Sequence, residues 1–188
     1  MNKINTEILD VYILEPKVHG DNRGWFMESW SEKNLTEFGL AFNFVQDNHS
    51  FSAYSGTLRG LHFQKGEAAQ AKLVRCLRGA ILDFAVDMRE GSPTYMKWLS
   101  VELSADNNRQ LLIPRGFLHG FVTLTDDVEV FYKVDNYYNS ELDRNIIWND
   151  PELNINWGIK DPIVSEKDAN APRVGESDIN FKYNKFKK

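Results

Sequence analysis

Hydrophobic positions in this chain fall into short runs, not long helical stripes. Apolar or alternating segments recur at Val11-Tyr12-Ile13-Leu14, Phe42-Asn43-Phe44-Val45-Gln46 and residues 80–88, 97–103, 110–113 and 128–135. Between them lie turn-forming clusters: Gly20-Asp21-Asn22, Ser55-Gly56, Arg78-Gly79, Gly91-Ser92-Pro93, Asp106-Asn107-Asn108 and Asp126-Asp127. Many strands with closely spaced turns predict a mainly β protein, an antiparallel sandwich or barrel. Two short helices are expected, at residues 31–38, with Ser31 as N-cap and Gly39 just past the end, and at residues 165–169. No internal repeat interrupts the chain, which reads as a single domain over residues 1–188 with a lysine-rich, loosely held tail at 180–188.

Against this apolar background, a few polar residues stand out because strand packing does not require them. The run Leu58-Arg59-Gly60-Leu61-His62-Phe63-Gln64 carries a base and a cation three positions apart. Strict alternation puts Arg59 and His62 on opposite faces of a strand, so both can line one pocket only if Gly60 marks a bulge. Lys72 and Asp83 each interrupt an apolar strand, either as a buried charge needing a partner or as solvent-facing edge residues. Tyr132 lies on an apolar face, where a tyrosine is ordinarily core. A base, two cations, a carboxylate and a phenol on neighbouring strands could remove a proton from one side of a substrate and return one to the other.

Composition narrows the alternatives. The chain is 42% hydrophobic and 26% charged, enough for one well-buried core. A net charge of −5 and a pI near 5.4 give no basic footprint for nucleic acid, so an anionic ligand must be held by a few local cations. Cys76, the only cysteine, sits in an apolar run and reads as a buried inert thiol; no intrachain disulfide can form. Residues 1–7 are polar, and no run approaches the roughly 18 apolar residues of a membrane span. A cytoplasmic protein without membrane contact is expected.

The segment Pro114-Arg115-Gly116-Phe117-Leu118-His119 resembles the second motif of the cupin superfamily of small jelly-roll barrels. Metal-binding cupins carry a His-x-His pair in their first motif, whereas this chain has His62-Phe63-Gln64. With only His19 and His49 as further imidazoles, a transition-metal site is not expected. The resemblance becomes specific over residues 21–172. Asp21-Asn22-Arg23-Gly24-Trp25-Phe26, Gln46-Asp47-Asn48-His49-Ser50, Leu58 through Gln64, Lys72-Leu73-Val74-Arg75, Gly91-Ser92-Pro93-Thr94, Ile113 through Phe121 and Ser165-Glu166-Lys167-Asp168 occur in the order seen in the dTDP-4-dehydrorhamnose 3,5-epimerase family.

That resemblance implies roles that composition and spacing do not give. His62 would be the general base with Asp168 as its partner. Tyr132 would be the acid on the opposite face, and Lys72, backed by Asp83, would stabilise charge on the C4 oxygen. Arg23, Gln46, Asn48, Arg59 and His119 would surround the nucleotide diphosphate and sugar, with Phe26, Glu28 and Tyr138 as further contacts; aromatic faces there could stack on a pyrimidine, and Trp25 and Trp30 could equally be core or interface. The reaction would need no cofactor. A homodimer is implied, with residues 1–15 supplying an interface strand through Tyr12 to Leu14. A single-centre epimerase of a related 4-keto sugar, a metal-dependent cupin and a non-catalytic sugar-binding jelly roll are the competing readings. The first shares every catalytic residue, and the second is disfavoured by the missing His-x-His.

Overall fold

The computed structural model describes residues 1–183. The described residues form thirteen strands: β1 (Asn2–Asn5), β2 (Tyr12–Glu15), β3 (Val18–Asp21), β4 (Gly24–Met27), β5 (Gln46–Ser52), β6 (Leu58–Gln64), β7 (Lys72–Arg78), β8 (Ala80–Asp87), β9 (Trp98–Ser104), β10 (Gln110–Ile113), β11 (Phe117–Thr123), β12 (Val128–Val134) and β13 (Asp143–Asn145). Two short helices, α1 (Glu32–Glu37) and α2 (Glu166–Ala169), complete it. A six-stranded sheet, β1-β2-β10-β7-β12-β5, faces a five-stranded sheet, β13-β6-β11-β8-β9, and β3-β4 forms a separate hairpin. All pairings within these sheets are antiparallel. This is the antiparallel sandwich expected from the turn spacing, of the jelly-roll type that the cupin resemblance implies.

Alternation explains the layering. Val74, Cys76, Ile81, Ala85, Leu99, Val101, Leu103, Leu111, Val128 and Val130 point between the sheets and form the central core. The outward residues are also covered. Leu58, Phe63, Phe84, Val86, Leu118 and Val122 of the five-stranded sheet lie under Ile146, Leu153, Trp157 and Phe181. Leu14, Leu73 and Leu112 of the other sheet lie under Leu35 of α1 and Trp30, Phe42 and Phe44. Burial on both faces is why several strands read as continuous apolar runs.

Most expected elements fall within a residue or two of their observed bounds, the usual uncertainty of strand and helix ends. Ser31 caps α1 by accepting from the Asn34 N–H, and Gly39 follows it with a positive φ of 73°. Residues 42–45 are the exception. Phe42 and Phe44 stack with centroids 5.8 Å apart in a loop, and the strand begins only at Gln46. Their alternation reflects rings packed onto a sheet from outside, which period alone cannot separate from a strand. The short β1, β3 and β13 carry too few apolar residues to stand out by pattern, and β4, though it holds Trp25, Phe26 and Met27, is only four residues long and largely exposed.

Within the single chain β2 is paired on both edges, to β1 and to β10, and β1 stands at the edge of the sheet. The tail is anchored at its start: the Phe181 ring packs 5.7 Å from Phe63, the Glu90 N–H donates to the Phe181 carbonyl, and the Tyr183 N–H donates to the Glu90 carbonyl. The remainder of the tail, 184–188, lies outside the described residues.

The Gly91-Ser92-Pro93-Thr94 motif serves a buried ion pair. The Asp87 carboxylate, fully buried, accepts from Arg89 Nε (2.9 Å), Ser92 Oγ (2.6 Å), Thr94 Oγ1 (2.7 Å) and the Arg89 N–H (3.0 Å). Arg89 also bonds Asp10 at 2.8 Å and lies against the rings of Phe117 and Tyr183. Burial pushes the Asp87 carboxyl up, but Arg89, Ser92 and Thr94 together hold it below the usual carboxylate range. Removing one partner of a buried pair leaves the other charge uncompensated. Asp87→Ala is therefore expected to lower the unfolding free energy by about 3–5 kcal/mol, read as a fall in the urea midpoint at unchanged m-value. Because the folded carboxyl titrates below its unfolded counterpart, this contribution is present above about pH 4 and is lost as pH falls through the depressed folded value.

Candidate active site

One end of the space between the sheets is left unfilled. A cavity of about 330 Å³ opens there, lined by Gln46, Asn48 and Ser50 of β5, Arg59, His62, Phe63 and Gln64 of β6, Gln70 and Lys72, His119 and Phe121 of β11, Tyr132 of β12, Tyr138 and Asp143. Period-2 geometry accounts for most of the list, because every second residue of a strand faces the same way. A more open depression of about 410 Å³, lined by Glu7, Ile8, Met96, Lys97, Trp98 and Leu153, holds no comparable set of acid, base and donor.

Arg59 and His62 share this cavity because of the bulge that alternation requires. Along β11, His119 is opposite His62 and Phe121 is opposite Arg59, so two residues of β6 stand against one of β11. The two strands touch there through glycines. A Cβ on Gly60, whose φ is 122°, would lie 2.7 Å from Gly120 Cα, and one on Gly120 would lie 2.9 Å from Arg59 O. Gly60 and Gly120 thus admit the close approach that turns both side chains inward.

His62 Nε2 lies 2.6 Å from Asp168 Oδ1. Asp168 is 2% exposed. Burial pushes its carboxyl up, but the hydrogen bond and charge of His62, with Ser165 and the Gly60 N–H, hold it below the usual range. An ionised carboxylate only accepts, so Nε2 carries the shared proton and Nδ1 is left with the lone pair of a base. No local feature of the sequence marks Asp168; it is brought from 106 residues away by the capped helix α2.

The opposite wall belongs to the other sheet. Tyr132 projects from β12, and Lys72 Nζ lies 5.4 Å from the centre of its ring. Burial pushes the phenol above its ordinary value, so it stays protonated at neutral pH. Burial also lowers the Lys72 ammonium to about 8, while Asp143, then Asp83 and Asp135, oppose the shift. Gln70 Oε1 is 3.4 Å from this ammonium.

Asp83 does not back Lys72 by direct contact. Its Oδ1 is 2.7 Å from His119 Nε2, its Oδ2 has no hydrogen-bond partner among the described residues, and it is fully buried. Burial raises its carboxyl against the opposing pull of His119. The two adjacent strands set this pair: Phe121 is opposite Asp83 and His119 is opposite Ala85.

Around the rim, Gln46 Nε2 donates to Asn48 Oδ1 at 2.8 Å, and the Tyr138 N–H approaches Gln46 Oε1 at 3.4 Å. Arg59 is oriented by Ser52 Oγ and the Phe51 carbonyl. Gln64 ties down the loop bearing Tyr138 by donating to the Ala68 and Tyr137 carbonyls and accepting from the Asn139 N–H. Ser50, whose buried hydroxyl has no partner among the described residues, was readable from its alternation with Gln46 and Asn48. Asp143 was not, because the pairing of β13 beside β6 leaves no local signal.

Three expected contacts are not brought together with these. Arg23 pairs with Asp21 on the exposed β3-β4 hairpin, Phe26 is 71% exposed on the same hairpin, and Glu28 accepts from Asn34. None of them lines the cavity of its own chain.

The family profile of dTDP-4-dehydrorhamnose 3,5-epimerase matches residues 5–176. This chain belongs to that family. The Shigella flexneri enzyme of this name is 51% identical over 95% of this chain and 98% of its own length. The Bacillus anthracis enzyme, solved with TDP and PPi bound, superposes with a TM-score of 0.90 at 50% identity, covering 92% of this chain and 99% of that one. The Legionella pneumophila enzyme, solved in complex with dTDP-4-keto-L-rhamnose, gives a TM-score of 0.92 at 44% identity, covering 97% of this chain and 98% of that one. The family thus accounts for nearly the whole described fold, and the matched region includes every residue of the cavity.

Proposed function

We propose that the cavity takes dTDP-4-dehydro-6-deoxy-D-glucose and inverts C3 and C5 to give dTDP-4-dehydro-L-rhamnose. One observation carries this reading: the hydrogen-bonded His62–Asp168 pair and the protonated Tyr132 phenol stand on opposing sheets across one cavity, with the Lys72 ammonium beside the phenol. A ketone at C4 acidifies the protons at C3 and C5. His62 Nδ1 removes one, negative charge collects on the C4 oxygen where Lys72 stabilises it, and Tyr132 delivers a proton to the other face. No electrons leave the substrate, so the chemistry needs no redox cofactor.

The nucleotide end is assigned to the rim. Arg59, His119, Gln46 and Asn48 supply donors for the diphosphate and sugar, guanidinium being suited to phosphate by its parallel donors. Tyr138, 59% exposed, offers a face for the thymine ring. Arg23, Phe26 and Glu28 fit this role only if a second copy presents its hairpin, so the reading includes a homodimer in which each copy completes the other's site. The protein is assigned to the cytoplasm, without membrane or nucleic-acid partners.

Proton NMR of the keto sugar nucleotide in deuterated water tests this directly. Deuterium is expected at both C3 and C5. Incorporation at one position alone would make the protein a single-centre epimerase, and none at either would leave a protein that binds without catalysing or acts on another nucleotide sugar.

A further inference from the structure

Asp168 reaches His62 from a helix of four residues, far too short to hold its own shape. Its N-cap, Ser165 Oγ accepting from the Asp168 N–H at 3.1 Å, shapes the turn but does not fix it to the sheet. The contact from Gly60 N–H to Asp168 Oδ2 is long, at 3.4 Å. Among the described residues, two further hydrogen bonds join α2 to the sheet, and both involve β13. Asn145 Nδ2 donates to the Lys167 carbonyl at 3.0 Å, and Asp143 Oδ2 pairs with Lys167 Nζ at 2.7 Å. In the sheet, Asn145 lies directly opposite His62 and Asp143 opposite Gln64. The same three-residue strand is therefore registered against the base and bonded to the residue preceding the base's partner.

We propose that β13 is a positioning clamp for the His62–Asp168 pair, with Asn145 as its principal positioning residue. The proposal deepens the epimerase reading and rests on it for the meaning of the pair, though not for the geometry. Asn145 does not line the cavity, so its action on the reaction passes through the placement of α2. The two contacts differ in weight. Lys167 has a side chain 58% exposed, and ion pairs of that kind contribute about 0–1 kcal/mol. The Asn145 bond fixes the backbone of α2 itself, one residue from Asp168, and so limits where the carboxylate can sit. A misplacement of about 1 Å, caused by a change far from the reacting atoms, can cost about 10²-fold in rate.

The test is a proton NMR spectrum of the free protein together with turnover. The 2.6 Å bond to Asp168 should give the His62 Nε2 proton a downfield resonance, identified by its absence in His62→Ala. In Asn145→Ala this signal is expected to broaden or move upfield, with turnover reduced about 10-fold by the looser placement of the pair and dTDP affinity within about two-fold of the parent. Lys167→Ala should change turnover less than three-fold, in line with its weaker contact. Asn145→Gln, which keeps the amide donor, should recover part of both signal and rate. Asn145→Leu, similar in volume and uncharged, serves if the alanine variant fails to fold. An unchanged signal in Asn145→Ala or Asn145→Leu would overturn the clamp, as would a loss of turnover with the signal intact. Because the resonance is read without substrate, a wrong assignment of the sugar would leave this result standing.

Discussion

Replacement of His62 by alanine is expected to stop both turnover and solvent exchange at C3 and C5, whereas Tyr132→Phe should keep exchange while losing inversion. The asymmetry follows from the two walls. His62 stands on β6 of the five-stranded sheet and Tyr132 on β12 of the six-stranded sheet, so each addresses one face of a sugar held between them. Without Nδ1 no proton is taken from either carbon, and the loss should reach or exceed the 10²–10⁴-fold typical of a general base. Without the phenol, His62 can still remove a proton and return a deuteron to the face it came from. His62→Ala also leaves the buried Asp168 carboxylate short of a donor, at a cost of about 1–3 kcal/mol, so its fold should be checked by thermal unfolding. Following deuterium uptake at each carbon separates the variants; identical exchange behaviour in both would refute the two-face assignment.

What the sequence disclosed follows from the range of the interactions involved. Apolar runs and alternation are properties of neighbouring residues, so Gln110 through Ile113 could be read from local pattern, as could the bulge at Gly60 once Arg59 and His62 were placed in one pocket, whereas Gln46 and Asn48 were named through family resemblance. Cys76 was equally legible: its thiol is buried, bonds the Arg78 and Gly79 carbonyls, and is pushed by burial up to about 11. Pairing between distant segments is not local. The carboxylate that serves His62 comes from α2, the one that serves His119 is Asp83, and Asp143 enters through a three-residue edge strand. Asp168 was named only through family resemblance, and Asp83 was matched with Lys72 when its hydrogen bond goes to His119. In both cases the deciding fact is which strands become neighbours.

Lys72→Met should lower kcat by about 10²–10³-fold, the effect of removing one donor from a developing oxyanion, or about 2.7–4 kcal/mol of barrier. The same change should not weaken the fold. The ammonium makes no ion pair within hydrogen-bond reach among the described residues, and its depressed value near 8 records the loss of hydration on burial. The unfolded chain holds this proton more tightly than the folded one between about pH 8 and 10.5, so in the parent this group makes stability rise with pH across that window. Methionine, close in volume, removes both that slope and the buried charge, and unfolding at pH 7 should occur at equal or higher temperature. Activity should respond to pH in the opposite sense. Lys72 is charged below about 8, so kcat/KM in the parent should fall as pH rises through that value, and the residual rate of Lys72→Met should lack this limb. A variant that loses its rate while keeping or gaining stability identifies a charge held in the cavity for the reaction, because strand β7 would pack as well around an apolar side chain.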